Sequence, residues 1–92
     1  MSEVVHILGQ KLAEILEKPE PASKGLIRLA FKDRELQEKL ESNKITLDDT
    51  LKVLNGTLQK RLEQIKAENP QDISAQLKDF ITKHQSIFTM SK

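Results

Sequence analysis

The sequence predicts an all-α fold, a small up-down four-helix bundle, and three observations carry that expectation. Apolar residues recur at three- and four-residue steps along four separate stretches. Short connections containing Pro, Asn or Ser separate those stretches, and no segment alternates apolar and polar residues as a half-buried strand does. Short connections favour antiparallel neighbours, hence the up-down order; a three-helix core with a peripheral N-terminal helix is the alternative packing.

The first helix is expected over about residues 3–18. Ser2 stands where a side chain caps the first turn, and Val4, Val5, Leu8, Leu12, Ile15 and Leu16 share one face. Pro19-Glu20-Pro21 stops it, because neither proline donates a helical hydrogen bond and both restrict the preceding residue. A second helix is expected over about 22–41, with Leu26, Leu29, Ala30, Leu36 and Leu40 as its main stripe; Asp33 interrupts that stripe and marks a place for a kink or break.

The third helix, about 47–67, has the clearest pattern. Thr46 and Asp49 are spaced as a capping box, and Leu47, Leu51, Leu54, Leu58, Leu62 and Ile65 follow as a narrow leucine seam. Gly56 lies in the middle and reads as close packing or a bend rather than a break, though Asn55-Gly56 is also a turn dipeptide, so the sequence leaves the continuity of this helix open. Asn69-Pro70-Gln71-Asp72 has the form of a helix start, with a capping Asn, a proline at the first helical position and an acid in the first turn. The fourth helix then runs over about 70–88 with Ile73, Leu77, Phe80, Ile81, His84, Ile87 and Phe88 on one face, and residues 89–92 are expected to fray.

At 92 residues there is room for one core. Fifteen Lys and Arg against fourteen Asp and Glu give a formal net charge of +1, so no global field argues for nucleic acid or an acidic membrane. The chain has no Cys, which removes disulfides, thiolate chemistry and cysteine zinc sites. A small domain without such staples is expected in a reducing, cytoplasmic compartment, and the first ten residues show no charged-then-apolar leader pattern. No apolar run exceeds three residues, so no membrane span is expected, and without Trp or Tyr the usual platforms for stacked bases are missing.

No catalytic constellation emerges. His6 is expected in solvent and His84 partly buried, and neither has a second histidine at metal-ligand spacing. The acidic pair Asp48-Asp49 is explained by a helix start. No glycine-rich loop or activated nucleophile is present, so no cofactor, metal or small-molecule substrate is expected and the chain reads as a non-enzyme.

Two surfaces invite a partner. In the second helix Ile27 and Phe31, four residues apart, lie off the main stripe, and Lys24, Arg28 and Lys32 form a basic ridge beside them. If exposed, Ile27 and Phe31 rimmed by Lys24, Arg28 and Arg34 have the composition of a protein interface, for a partner protein or a second copy of the chain; if buried, they are core. The alternative is nucleic-acid binding through a helix-turn-helix-like segment around 48–66, in which Gln59, Lys60 and Arg61 would contact bases and phosphates. The leucine spacing runs through the supposed turn without changing phase, which favours protein interaction.

Overall fold

A computed structural model of the chain describes residues 3–89. The proposed cap Ser2 and the terminal residues 90–92 lie outside the described residues. Those described form a small all-α bundle of seven helical segments: α1 (Glu3–Leu16), α2 (Glu20–Asp33), α3 (Gln37–Glu41), α4 (Leu47–Asn55), α5 (Thr57–Gln64), α6 (Pro70–Lys83) and α7 (Ser86–Thr89).

Three of the four expected helices are broken: the second and third, and the fourth, expected over 70–88, which stops at Lys83 and resumes as α7 at Ser86. The helix expected over 22–41 begins earlier, at Glu20, because a proline within the first turn loses no intrahelical bond. It ends at Asp33. The Arg34 N–H bonds back to the Phe31 carbonyl, Glu35 adopts a left-handed conformation (φ 62°), and the chain restarts as α3. The helix expected over 47–67 is interrupted at Gly56, whose φ of −120° and ψ of −92° leave the helical region.

The breaks after Asp33 and at Gly56 are each held from outside by a hydroxyl group. The backbone carbonyl oxygen of Leu54, which a continuous helix would offer to the N–H four residues on, accepts from Ser74 Oγ on α6. Thr57 Oγ1, just after the Gly56 break, donates to the carbonyl of Ala30 at 2.6 Å, near the end of α2. Each helix end thus has its exposed backbone acceptor satisfied by a neighbouring helix.

Helix termination here is unusual in chemistry. Four helices end with the wide backbone bond that spans a left-handed residue: Lys18 N–H to Ala13 O, Leu36 to Phe31, Lys44 to Lys39 and Ala67 to Leu62. The left-handed positions are Glu17, Glu35, Asn43 and Lys66, none of them glycine. A non-glycine residue there carries roughly 1–2 kcal/mol of strain. Glu17→Gly is therefore expected to stabilise the protein by up to about 1 kcal/mol, after the added unfolded-state freedom of glycine is subtracted. In a thermal melt this appears as a rise of a few degrees; an unchanged or lower melting temperature would contradict the assignment.

At the starts of helices the chemistry is mixed. The capping box forms as expected: Asp49 N–H donates to Thr46 Oγ1 at 3.1 Å, and Thr46 N–H donates to Asp49 Oδ2 at 3.3 Å. Asn69 occupies the position before α6, but at φ 51° and ψ 61°, and its side chain makes no capping bond. A capping side chain reaches the first-turn amides from an extended backbone, and the left-handed geometry removes that reach.

A single apolar cluster joins the elements. Val4, Val5, Leu8 and Leu12 of α1, Ile27, Ala30 and Phe31 of α2, Val53 and Leu54 of α4, Leu58 and Leu62 of α5, and Ile73, Leu77 and Ile81 of α6 are all buried in it. Burying side chains of this kind contributes about 1.5–3 kcal/mol each. The first helix packs on both α2 and α6, so it is an integral wall of the bundle and the peripheral-helix alternative does not apply. Gly9 makes that packing close: a Cβ there would meet the Lys24 side chain and stand 3.1 Å from Lys24 Cα. At the contact of α2 with α5 the two helices run in the same chain direction, with Thr57 against Ala30 and Arg61 against Asp33. The short α3 and the loop after it carry the chain back to make this possible.

Candidate functional site

The break after Asp33 decides which face of α2 is available to a partner. With Leu36 and Leu40 moved onto a separate element, they no longer share a helical phase with Leu26 and Leu29. The buried face of α2 consists of Ser23, Ile27, Ala30 and Phe31. This corrects the interface expectation: Ile27 and Phe31 are fully buried core residues and cannot meet a partner in this fold. The exposed apolar residue is instead Leu29, at 40% of its full accessibility.

Leu29 borders an open groove of about 470 Å³ between α1, α2 and α3. Its apolar lining is Val5, Leu29 and Leu40; its polar rim is Arg28 and Lys32 on α2, with Gln37 and Glu41 on α3. Arg28 and Lys32 are one helical turn apart and solvent-exposed, as are Gln37 and Glu41 across the groove. Among the described residues Arg28, Lys32 and Glu41 take part in no ion pair within 4 Å.

Of the remaining expected contact residues, Lys24 is withdrawn. Its stem covers Gly9, and its Nζ lies 3.7 Å from Glu20. Arg34 is exposed at the α2–α3 turn but does not line the groove. Arg28 is therefore the one residue of the expected set that the structure places in the groove, and Val5, Leu29, Lys32, Gln37, Leu40 and Glu41 join it. The sequence contained one signal for this: Asp33 within an otherwise apolar stripe.

The alternative nucleic-acid residues are not presented together. Arg61 is bound in a two-point contact to Asp33, Nε to Oδ2 at 2.7 Å and an Nη to Oδ1 at 3.0 Å. Gln59 is half-buried and Lys60 exposed. The hydrogen bonds from Arg61 outweigh the opposing desolvation and, with the charges of Arg61 and Lys32 adding to them, hold the Asp33 carboxyl below its ordinary range; the same pairing raises Arg61. A carboxylate lowered in the folded state adds stability above its unfolded pKa and loses it as pH falls through the folded value. Asp33→Asn is thus expected to remove part of the stability loss seen below about pH 4, read as urea midpoints across an acid series. Identical acid limbs in the two proteins would show that the pair does not contribute.

Both histidines differ from expectation. His84 follows the end of α6 and is exposed, with Nδ1 2.8 Å from the Phe80 carbonyl and its ring tilted by 39° against Phe80 at 4.3 Å between centroids. Because α6 stops at Lys83, the apolar phase does not extend to His84. His6 is half-buried. Among the described residues no three His, Asp or Glu side chains are grouped to hold a metal ion, and no helix is long and apolar enough to cross a membrane.

The fold and site together define a small helical bundle with a charge-rimmed groove between α1, α2 and α3. Comparison of the chain with known protein families, curated proteins and solved structures finds no match.

Proposed function

We propose that this chain is a non-enzymatic protein-interaction module that docks a protein partner in the groove between α1, α2 and α3. The observation that carries the reading is Leu29, a large apolar side chain left in solvent beside the unpaired Arg28 and Lys32. An apolar anchor with a polar, partly cationic rim is the anatomy of a protein interface, and arginine is enriched at such sites. The other large exposed apolar residue, Ile65, stands at the end of α5 in a more polar setting with Glu17, Lys18, Lys66 and Glu68.

Leu29→Asp tests this. Leu29 is exposed, so the substitution should change stability by no more than about 0.5–1 kcal/mol and leave the helical circular dichroism intact. In parallel affinity captures, wild-type protein is expected to retain a defined protein partner that the folded variant loses. Equal capture by both proteins would remove the groove from the function. Captured nucleic acid that is released by moderate salt would replace protein interaction with the alternative, since phosphate contacts weaken steeply as counterions are released.

A further inference from the structure

The groove is lined by charge in an order that specifies its occupant. Resting on the docking reading above, we infer that it receives an amphipathic helix of a partner protein that carries carboxylates on the flank facing α2.

The groove's own chemistry selects among the ways a protein segment is recognised. Addition of a strand needs an open sheet edge, and the described residues contain only helices and turns. Polyproline segments dock on aromatic-lined surfaces, and none of the three Phe residues lines this groove. Phosphorylated motifs are held by clustered arginines, and Arg28 is the one arginine here. A helix laid in the groove remains: its apolar face would rest on the exposed Leu29, with the buried Val5 and Leu40 beneath.

Charge then sets its flanks. Arg28 and Lys32 follow each other at one helical turn along α2, a spacing that matches two carboxylates one turn apart on a facing helix. The opposite rim, on α3, carries Gln37 and Glu41 and so disfavours acids there. The two rims therefore distinguish the acidic flank of a docked helix from its other flank, and that asymmetry fixes how the helix is rotated in the groove. Complementary charge of this kind acts chiefly on specificity and on the rate of encounter.

The experiment uses two synthetic helical peptides with the same leucine-rich face, one with glutamates and one with lysines on its flank. Each is titrated into the ¹⁵N-labelled full chain, with the amides of Val5, Leu29 and Leu40 as reporters. The glutamate peptide is expected to shift those amides and to bind roughly tenfold more weakly to the Arg28→Glu/Lys32→Glu double variant. The lysine peptide is expected to show the reverse preference. Circular dichroism of the double variant confirms that it is folded, as both positions are exposed.

Equal binding of the two peptides in the groove overturns the acidic-helix inference and leaves the groove as a docking surface. Shifts that miss the groove, or none at millimolar peptide, overturn both. Groove amides that shift with protein concentration alone identify a second copy of the chain as the occupant and likewise overturn the inference.

Discussion

Replacing Phe31 with alanine is expected to destabilise the protein by about 3–5 kcal/mol, the range for deleting a fully buried aromatic side chain. Domains of this size have total stabilities toward the lower end of about 5–15 kcal/mol, so the variant should be partly unfolded at room temperature. Phe31 is inaccessible and belongs to the apolar cluster that joins α1, α2 and the α4–α6 wall. It also sits at the end of α2, where its carbonyl accepts the N–H groups of both Arg34 and Leu36. Phe31→Asp should be more severe still, because it adds an unpaired buried charge to the cavity. Circular dichroism against urea measures both effects. A Phe31→Asp protein that keeps its helical signal would place Phe31 on the surface and overturn the core assignment.

Replacing Ser74 with alanine is expected to destabilise by about 1–3 kcal/mol. Ser74 is buried on α6 and donates to the Leu54 carbonyl at the end of α4. Leu54 itself is inaccessible, so water cannot take over the bond, and the carbonyl would be left unpartnered in an apolar surrounding. Ser74→Thr keeps the hydroxyl and separates loss of the hydrogen bond from changes of volume. The measurement is again a denaturation midpoint. A neutral Ser74→Ala result would mean that Leu54 bonds within a continuous helix and that α4 and α5 are not interrupted.

The two substitutions probe the two places where periodicity and structure part. On the third stretch the leucine seam ran through Gly56 without a change of phase, yet the backbone leaves the helix there, and Val53, off the seam, is fully buried. Ile65, on the seam, is largely exposed. A pattern of leucines at steps of three and four is consistent with either a straight or a broken helix, since each half keeps its own apolar face. Only the neighbours decide: Ser74 on α6, 20 positions away, donates to the freed Leu54 carbonyl, and Thr57 at the start of α5 donates to Ala30 on α2, 27 positions away.

On the second stretch the effect was larger because two faces competed. Leu26 and Leu29 with Leu36 and Leu40 outnumber Ile27 and Phe31 when the segment is counted as one helix. Once the chain turns at Arg34 and Glu35, Leu36 and Leu40 belong to a different axis, and Ile27, Ala30 and Phe31 become the buried face. The turn carries no glycine or proline. Its left-handed residue is Glu35, and the helices ending at Leu16 and Gln64 likewise use Glu17 and Lys66. Such ends have no compositional mark. They form because the last turn's carbonyls find partners across the turn and because packing on either side outweighs the strain.

What the sequence by itself determined was the class of fold, the absence of cysteine chemistry, and those features whose physics is local. The capping box of Thr46 and Asp49 and the proline starts of α2 and α6 depend on residues within one turn of each other, and all three formed. The tertiary structure alone decided where the helices break, which face of α2 is buried, and hence that Leu29, Arg28 and Lys32 rather than Ile27 and Phe31 are exposed. Local periodicity reports which side of a helix is apolar. When two sides are, the choice rests on contacts between residues far apart in the chain, and only the folded core makes it.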